Sequence, residues 1–302
     1  MQRDVTIIGC GVAGLHAAYP LVQAGVRVRM LDAGETPTKK FGWRYPLLGR
    51  RAGFARLRKE GERVIVESFV AGGLSEIWGG VCEQLNEEEL RAAGLPVLDE
   101  HYRIVSERIG LQKGTLSEYR GHTTLEELKT YPNFEYKREL VKEIPHDSRF
   151  TVLACGAIGT ARLLGKQTAF YKSNTLFICI STRRRPLGGL RPISAFSVGA
   201  SYVLLYSILP YIVVADVRGP RVNLRQLGLW PLMSKRLPEG ITSHYAGGVD
   251  VDSNGKFREG IYVADAAGWR ALPAKPIAIT IMANANRIGS YIAQLLQASE
   301  GG

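Results

Sequence analysis

The residues with the clearest chemical meaning lie near the amino end, where Gly9, Gly11 and Gly14 form the spacing G-x-G-x-x-G. An acid, Asp32, follows at the distance that a βαβ nucleotide-binding unit requires. Gly9 permits the tight turn, Gly11 lets the backbone approach a pyrophosphate, and Gly14 lets a helix pack closely on a strand. A carboxylate at Asp32 would accept hydrogen bonds from ribose hydroxyls. The pattern predicts a site for an adenine dinucleotide.

These residues need a strand, a helix and a second strand to position them. Residues 5–8 are a β-branched apolar run typical of a buried strand, and residues 15–24 follow as a helix. Residues 26–31 then form a strand that leads into Asp32. The helix would offer unpaired N–H groups and its positive dipole end to phosphates. A glycine-rich turn without a nucleotide is the alternative, and this context disfavours it.

Two further glycine-rich stretches follow predicted strands. Residues 71–80 contain four glycines around one tryptophan, which suggests backbone packed against a flat ligand, although a plain loop explains this stretch equally well by itself. Residues 150–153 form a short strand that enters a glycine-containing turn at residues 154–159. Clear order returns in a strand over residues 260–265 and a helical period over residues 277–297.

Composition indicates a globular protein of one or two domains. The 302 residues are 45% hydrophobic and 22% charged, and the net charge of +11 favours anionic ligands. The basic clusters Lys39-Lys40, Arg50-Arg51 and Arg183-Arg184-Arg185 are expected in solvated loops, and no nucleic-acid motif occurs. The four cysteines show neither C-x-x-C nor metal-ligand spacing, so no metal site is predicted. Reduced thiols and the absence of a signal-peptide pattern favour a cytoplasmic protein.

One uncharged stretch, residues 193–215, is long enough to cross a membrane. It also contains Gly199, Pro210 and several serines and tyrosines, and its β-branched and aromatic residues suit strands. We therefore expect sheet here in preference to a membrane span or a membrane-docking surface, and no membrane contact.

Four blocks in order resemble the glucose–methanol–choline family of FAD-dependent oxidoreductases. They are the glycine turn with Asp32, residues 72–79, residues 153–164, and residues 244–289, which begin with a His-x-x-Gly pattern at His244. The resemblance implies an α/β fold with a Rossmann-like FAD-binding domain and a smaller, trimmed antiparallel-sheet substrate domain. It further implies domains at residues 1–165 with 240–302, and at residues 166–239.

The resemblance implies oxidation of an alcohol, a sugar or polyol among the candidates, by hydride transfer to flavin N5. His244 is the candidate base, because a neutral imidazole accepts protons, and a histidine that only satisfies a local hydrogen bond is the alternative. Lys275 stands where relatives have Asn or His and is the second candidate catalytic residue. Its ammonium could hold an anionic substrate, stabilise an alkoxide or reduced flavin, or spoil the usual two-residue site, and a solvated loop lysine is the alternative. Ile77 replaces the histidine that tethers FAD in some relatives, so non-covalent FAD is expected. The residues expected to bind the cofactor are Gly9, Gly11, Gly14, Asp32, Gly73, Ser75, Trp78, Gly79 and Asp265.

The stretches over residues 80–152 and 165–243 are compact for this family. A partner subunit could supply the missing cover, or the site could be open to solvent. The sequence therefore leaves open a non-catalytic or partner-dependent flavin-binding subunit, and a nicotinamide-dependent reductase built on the same amino-terminal unit. The electron acceptor and the substrate are not specified.

Overall fold

The computed structural model describes residues 3–37, 53–111, 117–187 and 192–300. The helices are α1 Val12–Gln23, α2 Glu87–Ala93, α3 Asp99–Arg108, α4 Gly121–Leu128, α5 Gly156–Leu163 and α6 Ala278–Glu300. The strands are β1 Arg3–Ile8, β2 Val28–Asp32, β3 Arg56–Glu60, β4 Arg63–Glu67, β5 Phe134–Arg138, β6 Ser148–Leu153, β7 Phe170–Tyr171, β8 Asn174–Ser181, β9 Ser194–Val198, β10 Ser201–Leu209, β11 Ile212–Arg218, β12 Leu229–Arg236, β13 Tyr245–Ala246, β14 Lys256–Arg258 and β15 Ile261–Val263.

The larger sheet has the order β14-β15-β6-β1-β2-β5. Its pairs are parallel except β14 with β15. In register, Ile8 lies beside Leu31 on one side and Leu153 on the other, and Leu153 lies beside Val263. Four strands therefore end at one edge. The carboxyl ends of parallel strands are where ligands bind in open α/β sheets.

Helices cover both faces of this sheet, as buried parallel strands require. One core joins β1, β2 and β6 to α1 and α6, with Leu15, Leu21 and Ile288 completely buried. The contact between α1 and α6 is close, because a Cβ added at Gly289 would overlap the carbonyl oxygen of Ala17. A second core on the opposite face joins Ile8 and Leu153 to α5.

The second sheet is antiparallel, with the order β12-β8-β11-β10-β9. One face buries Cys179, Val203 and Val213 in a core of its own. The other face packs on the rest of the molecule through Tyr202 and Leu204, and the Tyr202 hydroxyl hydrogen-bonds Glu83. The α/β fold with a Rossmann-like sheet and a smaller antiparallel sheet is thus confirmed.

The types of the helices and strands agree with the sequence prediction better than their boundaries do. The uncharged residues 193–215 form β9, β10 and the start of β11, as predicted, and the described part of the chain contains no helix that could cross a membrane. Boundaries were less accurate: α1 begins at Val12 and α5 at Gly156, so each starts inside its glycine turn. The basic pairs Lys39-Lys40 and Arg50-Arg51 lie outside the described residues.

Candidate functional site

The glycine turn between β1 and α1 is built as the spacing predicted. Gly9 has a φ of +106°, which side-chain-bearing residues rarely adopt, and an added Cβ would overlap the carbonyl of Ala154. A Cβ at Gly14 would overlap the carbonyl oxygen of Gly9. In contrast, a Cβ at Gly11 would meet no atom of the described residues within 4 Å. Gly9 and Gly14 therefore serve packing, whereas Gly11 presents its backbone to open space.

The open space lies at the amino end of α1, where an anion is favoured. The N-cap Gly11 provides no side-chain cap, and the first turn carries no acidic residue. The first N–H groups of a helix lack intrahelical partners and carry the positive end of the dipole. This position fits a phosphate group of a dinucleotide.

Asp32 lies at the end of β2, beside the same turn. Its carboxylate accepts hydrogen bonds from the backbone N–H groups of Cys10 at 2.9 Å and Gly34 at 2.8 Å. Burial raises the pKa of Asp32 above its usual value, and the two N–H donors oppose that shift. Each carboxylate oxygen keeps a further lone pair, so the group can still accept hydrogen bonds from a ribose.

The second predicted block lies directly over the glycine turn. The Gly72 N–H donates to the Cys10 carbonyl at 2.9 Å, and a Cβ at Gly73 would lie 3.3 Å from the Gly11 Cα. Ser75 is buried in the 3-10 turn Gly73–Glu76; its hydroxyl donates to the Gly72 carbonyl and accepts from Gly121 N–H. Gly73 therefore borders the nucleotide space with its backbone, while the Ser75 hydroxyl holds the loop in place.

Trp78 connects this loop to the start of α6. Its indole N–H donates to the Tyr119 carbonyl at 2.8 Å. Val12 and Trp78 both pack against a core that contains Ile279 and Met282 from the first turns of α6. At Gly79 an added Cβ would lie 4.0 Å from Pro192, its nearest neighbour among the residues that the structure describes. The amino ends of α1 and α6 and the tryptophan loop are therefore brought together around one region.

Asp265 lies at the same edge, after β15, and is almost completely buried. It accepts hydrogen bonds from the Thr160 hydroxyl at 2.5 Å and the Ala267 N–H at 2.9 Å, and so caps the turn Ala266–Gly268. Burial raises its pKa to about 6. Both carboxylate oxygens thus bond to protein groups, which ties α5 to the carboxyl-terminal segment near the glycine turn.

His244 is half-buried beside β13 and is fixed in one tautomer. Its Nδ1 lies 2.6 Å from the Thr242 carbonyl, which can only accept, so Nδ1 carries the proton. Nε2 is then unprotonated, and its lone pair accepts a long hydrogen bond of 3.4 Å from Arg218. Burial and the Arg218 charge lower the pKa of His244 to about 3. The imidazole is therefore neutral across the physiological pH range.

Two cations that sequence reasoning missed, Arg218 and Lys172, affect the pKa of this imidazole. Arg218 ends β11 and is buried, with its partner Asp216 at 3.3 Å. Lys172 donates its backbone N–H to the His244 carbonyl, and its ammonium donates to the Pro273 carbonyl at 2.6 Å. Burial and Arg218 lower the pKa of Lys172 to about 8. The His244 neighbourhood therefore favours negative charge on a bound oxygen.

Lys275 has a different set of partners from His244. Its ammonium is 2.7 Å from Glu89 and 3.3 Å from the Gln84 carbonyl, and its side chain is largely buried. Glu89 also closes the capping box of α2 with Asn86. This position connects the loop before α6 to the start of α2. The two residues predicted as catalytic, His244 and Lys275, thus bond to different groups.

One pattern in the sequence could have indicated Arg218. Asp216 and Arg218 are the first charged residues after the uncharged stretch, and strand alternation puts both on one face. Nothing comparable marks Lys172, because its role depends on the pairing of β7 with β13 across a long chain separation.

Comparison with known proteins supports the fold. No protein-family model matches the chain. The structure superposes on the crystal structure of pyridoxine 4-oxidase from Mesorbium loti with a TM-score of 0.61 and 12% sequence identity, covering 98% of this chain and 99% of that one. The two proteins share a fold. This likeness agrees with the glucose–methanol–choline-like fold that the sequence resemblance implied.

One protein that is similar in sequence matches only part of this chain. The chain is 28% identical over 159 residues to the methylenetetrahydrofolate–tRNA-(uracil-5-)-methyltransferase TrmFO of a Picosynechococcus strain, across 53% of this chain. The alignment covers 30% of the length of that methyltransferase. It therefore supports a shared segment rather than a shared activity.

Proposed function

We propose that this protein is an FAD-dependent oxidoreductase that removes hydride from an alcohol. The observation that carries the proposal is the open space over Gly11, at an uncapped helix end and beside Asp32 and Gly73. A dinucleotide needs this combination of close backbone approach, N–H donors and a ribose acceptor. The fold agrees, because the structural neighbour is named as an oxidase.

FAD fits the residues that border the open space. The α1 amino end and Gly11 would hold the pyrophosphate, Asp32 the ribose, and the loop from Gly73 to Gly79 the flat ring system. When bound, FAD supplies the acceptor for the hydride. We propose the division into residues 1–165 with 240–302 for the cofactor and residues 166–239 for the substrate, since the antiparallel sheet lies within the latter range.

His244 is the proposed acceptor of the hydroxyl proton. Its tautomer directs an unprotonated Nε2 away from Thr242 and towards Arg218. A low pKa makes the imidazole a weak base, but the same cations also stabilise an alkoxide and so lower the pKa of the alcohol. Arg218 and Lys172 therefore act with His244, by offsetting the charge that develops on the substrate oxygen.

The proposal is tested with purified protein under argon. We expect a bound flavin absorption band that bleaches on addition of an alcohol or sugar substrate from a screened panel. His244→Asn keeps a donor for the Thr242 carbonyl and removes the Nε2 acceptor. The variant should retain flavin, and the rate at which the flavin band bleaches should fall at least about a hundredfold. His146→Asn, at an exposed histidine, is the matched control and should bleach normally.

Three results would contradict the proposal in different ways. Colourless protein that cannot be reconstituted with FAD would remove the cofactor. Bleaching by NADH or NADPH alone would favour a nicotinamide-dependent reductase. Unchanged reduction kinetics in His244→Asn would leave the flavin chemistry intact and remove His244 from the base role.

A further inference from the structure

Large apolar side chains are exposed on one face of the antiparallel sheet, beyond the site. The register lines up Trp230, Ile180, Ile212 and Leu209 in one row across the sheet. The next row contains Met233, Ile178, Val214 and Tyr206. Trp230 is 51% exposed and Met233 is 68% exposed. Residues directly opposite each other on paired strands point to the same side, so the two rows form one continuous apolar face. We call it the outer face.

The outer face continues into the turn between β10 and β11. Ile208, Leu209 and Tyr211 at this turn are each more than half exposed, as is Leu232 on β12. Of the twelve large apolar side chains that are exposed in the described chain, most lie on the outer face or at this turn. Scattered exposed apolar residues are ordinary, but a contiguous group of this kind marks an interaction surface.

The charge around the outer face identifies its partner. Residues 174–238 contain nine Lys or Arg residues and a single acid, Asp216, which is buried against Arg218. Arg183 and Arg184 are exposed, and the Arg185 N–H donates to the carbonyl of Pro210 in the β10–β11 turn at 2.7 Å. The Arg225 guanidinium lies 5.0 Å from the centre of the Trp230 ring. Cations therefore border the apolar side chains.

We propose that the outer face docks on an anionic lipid bilayer. Apolar side chains with a tryptophan and a tyrosine suit the interface between headgroups and acyl chains, and the bordering arginines suit anionic headgroups. A second copy of the chain is disfavoured, because a two-fold contact through this face would bring the arginine clusters of both copies together. Pairing through the edge strand β12 is hindered by its Pro231, its bulge and the charges of Lys235 and Arg236. This proposal revises the sequence expectation that the protein makes no membrane contact.

The test is co-sedimentation with lipid vesicles. Vesicles of phosphatidylcholine alone are compared with vesicles in which one third of the lipid is phosphatidylglycerol, at low and at high salt. We expect the protein to pellet with the anionic vesicles at low salt and to be released by high salt. Trp230→Ser with Met233→Ser should weaken partitioning by about tenfold for each side chain. Arg183→Gln with Arg184→Gln should weaken it by about fivefold for each charge.

Matched controls lie elsewhere on the surface. Val97→Ser with Leu140→Ser removes two apolar side chains of similar exposure, and Lys59→Gln with Lys142→Gln removes two exposed charges. Both control pairs should bind within about twofold of the unchanged protein, while circular dichroism confirms that every variant is folded. Protein that stays in the supernatant with anionic vesicles, or equal losses in the controls, would overturn the proposal. So would a dimer in sedimentation equilibrium that the Trp230 and Met233 changes abolish.

Discussion

Replacing Gly11 or Gly14 by alanine separates the two roles that the glycine turn combines. Gly11 has φ −81° and ψ −177°, which alanine adopts freely, and within the described part of the chain its new methyl group would meet no atom within 4 Å. Loss of a favourable N-cap residue costs about 0.5–1 kcal/mol, and reduced freedom of the unfolded chain returns about 0.4–1 kcal/mol. The free energy of unfolding without cofactor should therefore change by less than about 1 kcal/mol.

Binding of FAD should respond very differently to Gly11→Ala. The methyl group would occupy the space proposed for the pyrophosphate and remove about two charge-assisted hydrogen bonds, each contributing roughly 1.5 kcal/mol. The dissociation constant should then rise by on the order of a hundredfold. At a FAD concentration of about 100 times the unchanged protein's Kd, ligand stabilisation of about 2.7 kcal/mol would fall to about 0.4 kcal/mol.

Gly14→Ala should act on folding instead. Its methyl group would overlap the Gly9 carbonyl oxygen, which belongs to the backbone and cannot move aside as a side chain could. We expect a loss of more than about 3 kcal/mol without any cofactor. Urea denaturation of all three proteins, with and without FAD, measures both effects. If Gly11→Ala keeps the full stabilisation by FAD, the nucleotide does not lie over Gly11 and the reasoning fails.

Three further changes test other parts of the structure. Asp265 has a pKa raised by burial to about 6, so the folded state binds more protons than the unfolded state between about pH 4 and 6. The free energy of unfolding should fall with rising pH across that window by on the order of 2–3 kcal/mol, and urea titrations of Asp265→Asn should lack this slope. His244 has the opposite sign: its pKa is lowered from 6.5 to about 3, so stability gains with rising pH between these values, and His244→Asn should lose that gain in the same titrations. Lys275→Ala should lower the free energy of unfolding by about 1–3 kcal/mol, because it leaves Glu89 without its cation. A double-mutant cycle with Glu89→Ala measures the coupling between the two residues. An unchanged KM in substrate assays would assign Lys275 a structural role.

The glycine turn could be predicted from sequence because its physics is local. Gly9, Gly11 and Gly14 lie within one turn, and the backbone geometry that each permits depends on neighbours a few residues away. The second contact of this turn, with Gly73, could be anticipated only as part of a family resemblance. Propensity and periodicity gave the element types, whereas helix starts depended on turn geometry that these patterns do not encode.

The surroundings of His244 could not be predicted in the same way. The His-x-x-Gly context predicted the histidine, but its tautomer depends on the Thr242 carbonyl, and its pKa depends on burial, Arg218 and Lys172. The backbone of Lys172 lies beside that of His244 because β7 pairs with β13, and these strands are separated by more than seventy residues. The family resemblance likewise indicated Lys275, but its ion pair with Glu89 joins two segments that no local pattern connects.

The antiparallel sheet explains why a charged site and an apolar surface coexist in one small segment. Along the face that includes the outer face, the inner rows of the register carry Asp216 and Arg218, whereas the outer rows carry Ile178, Ile180 and Trp230. Alternation with a period of two decides only which face a residue points to. Position along the strand decides whether that face packs on the rest of the molecule, as at Tyr202 and Leu204, or projects past it. The inner end is covered, and its charges, Asp216 and Arg218, pair with each other. The outer end projects beyond that cover, and its apolar side chains therefore need a partner from outside the chain, which the bordering arginines restrict to an anionic one.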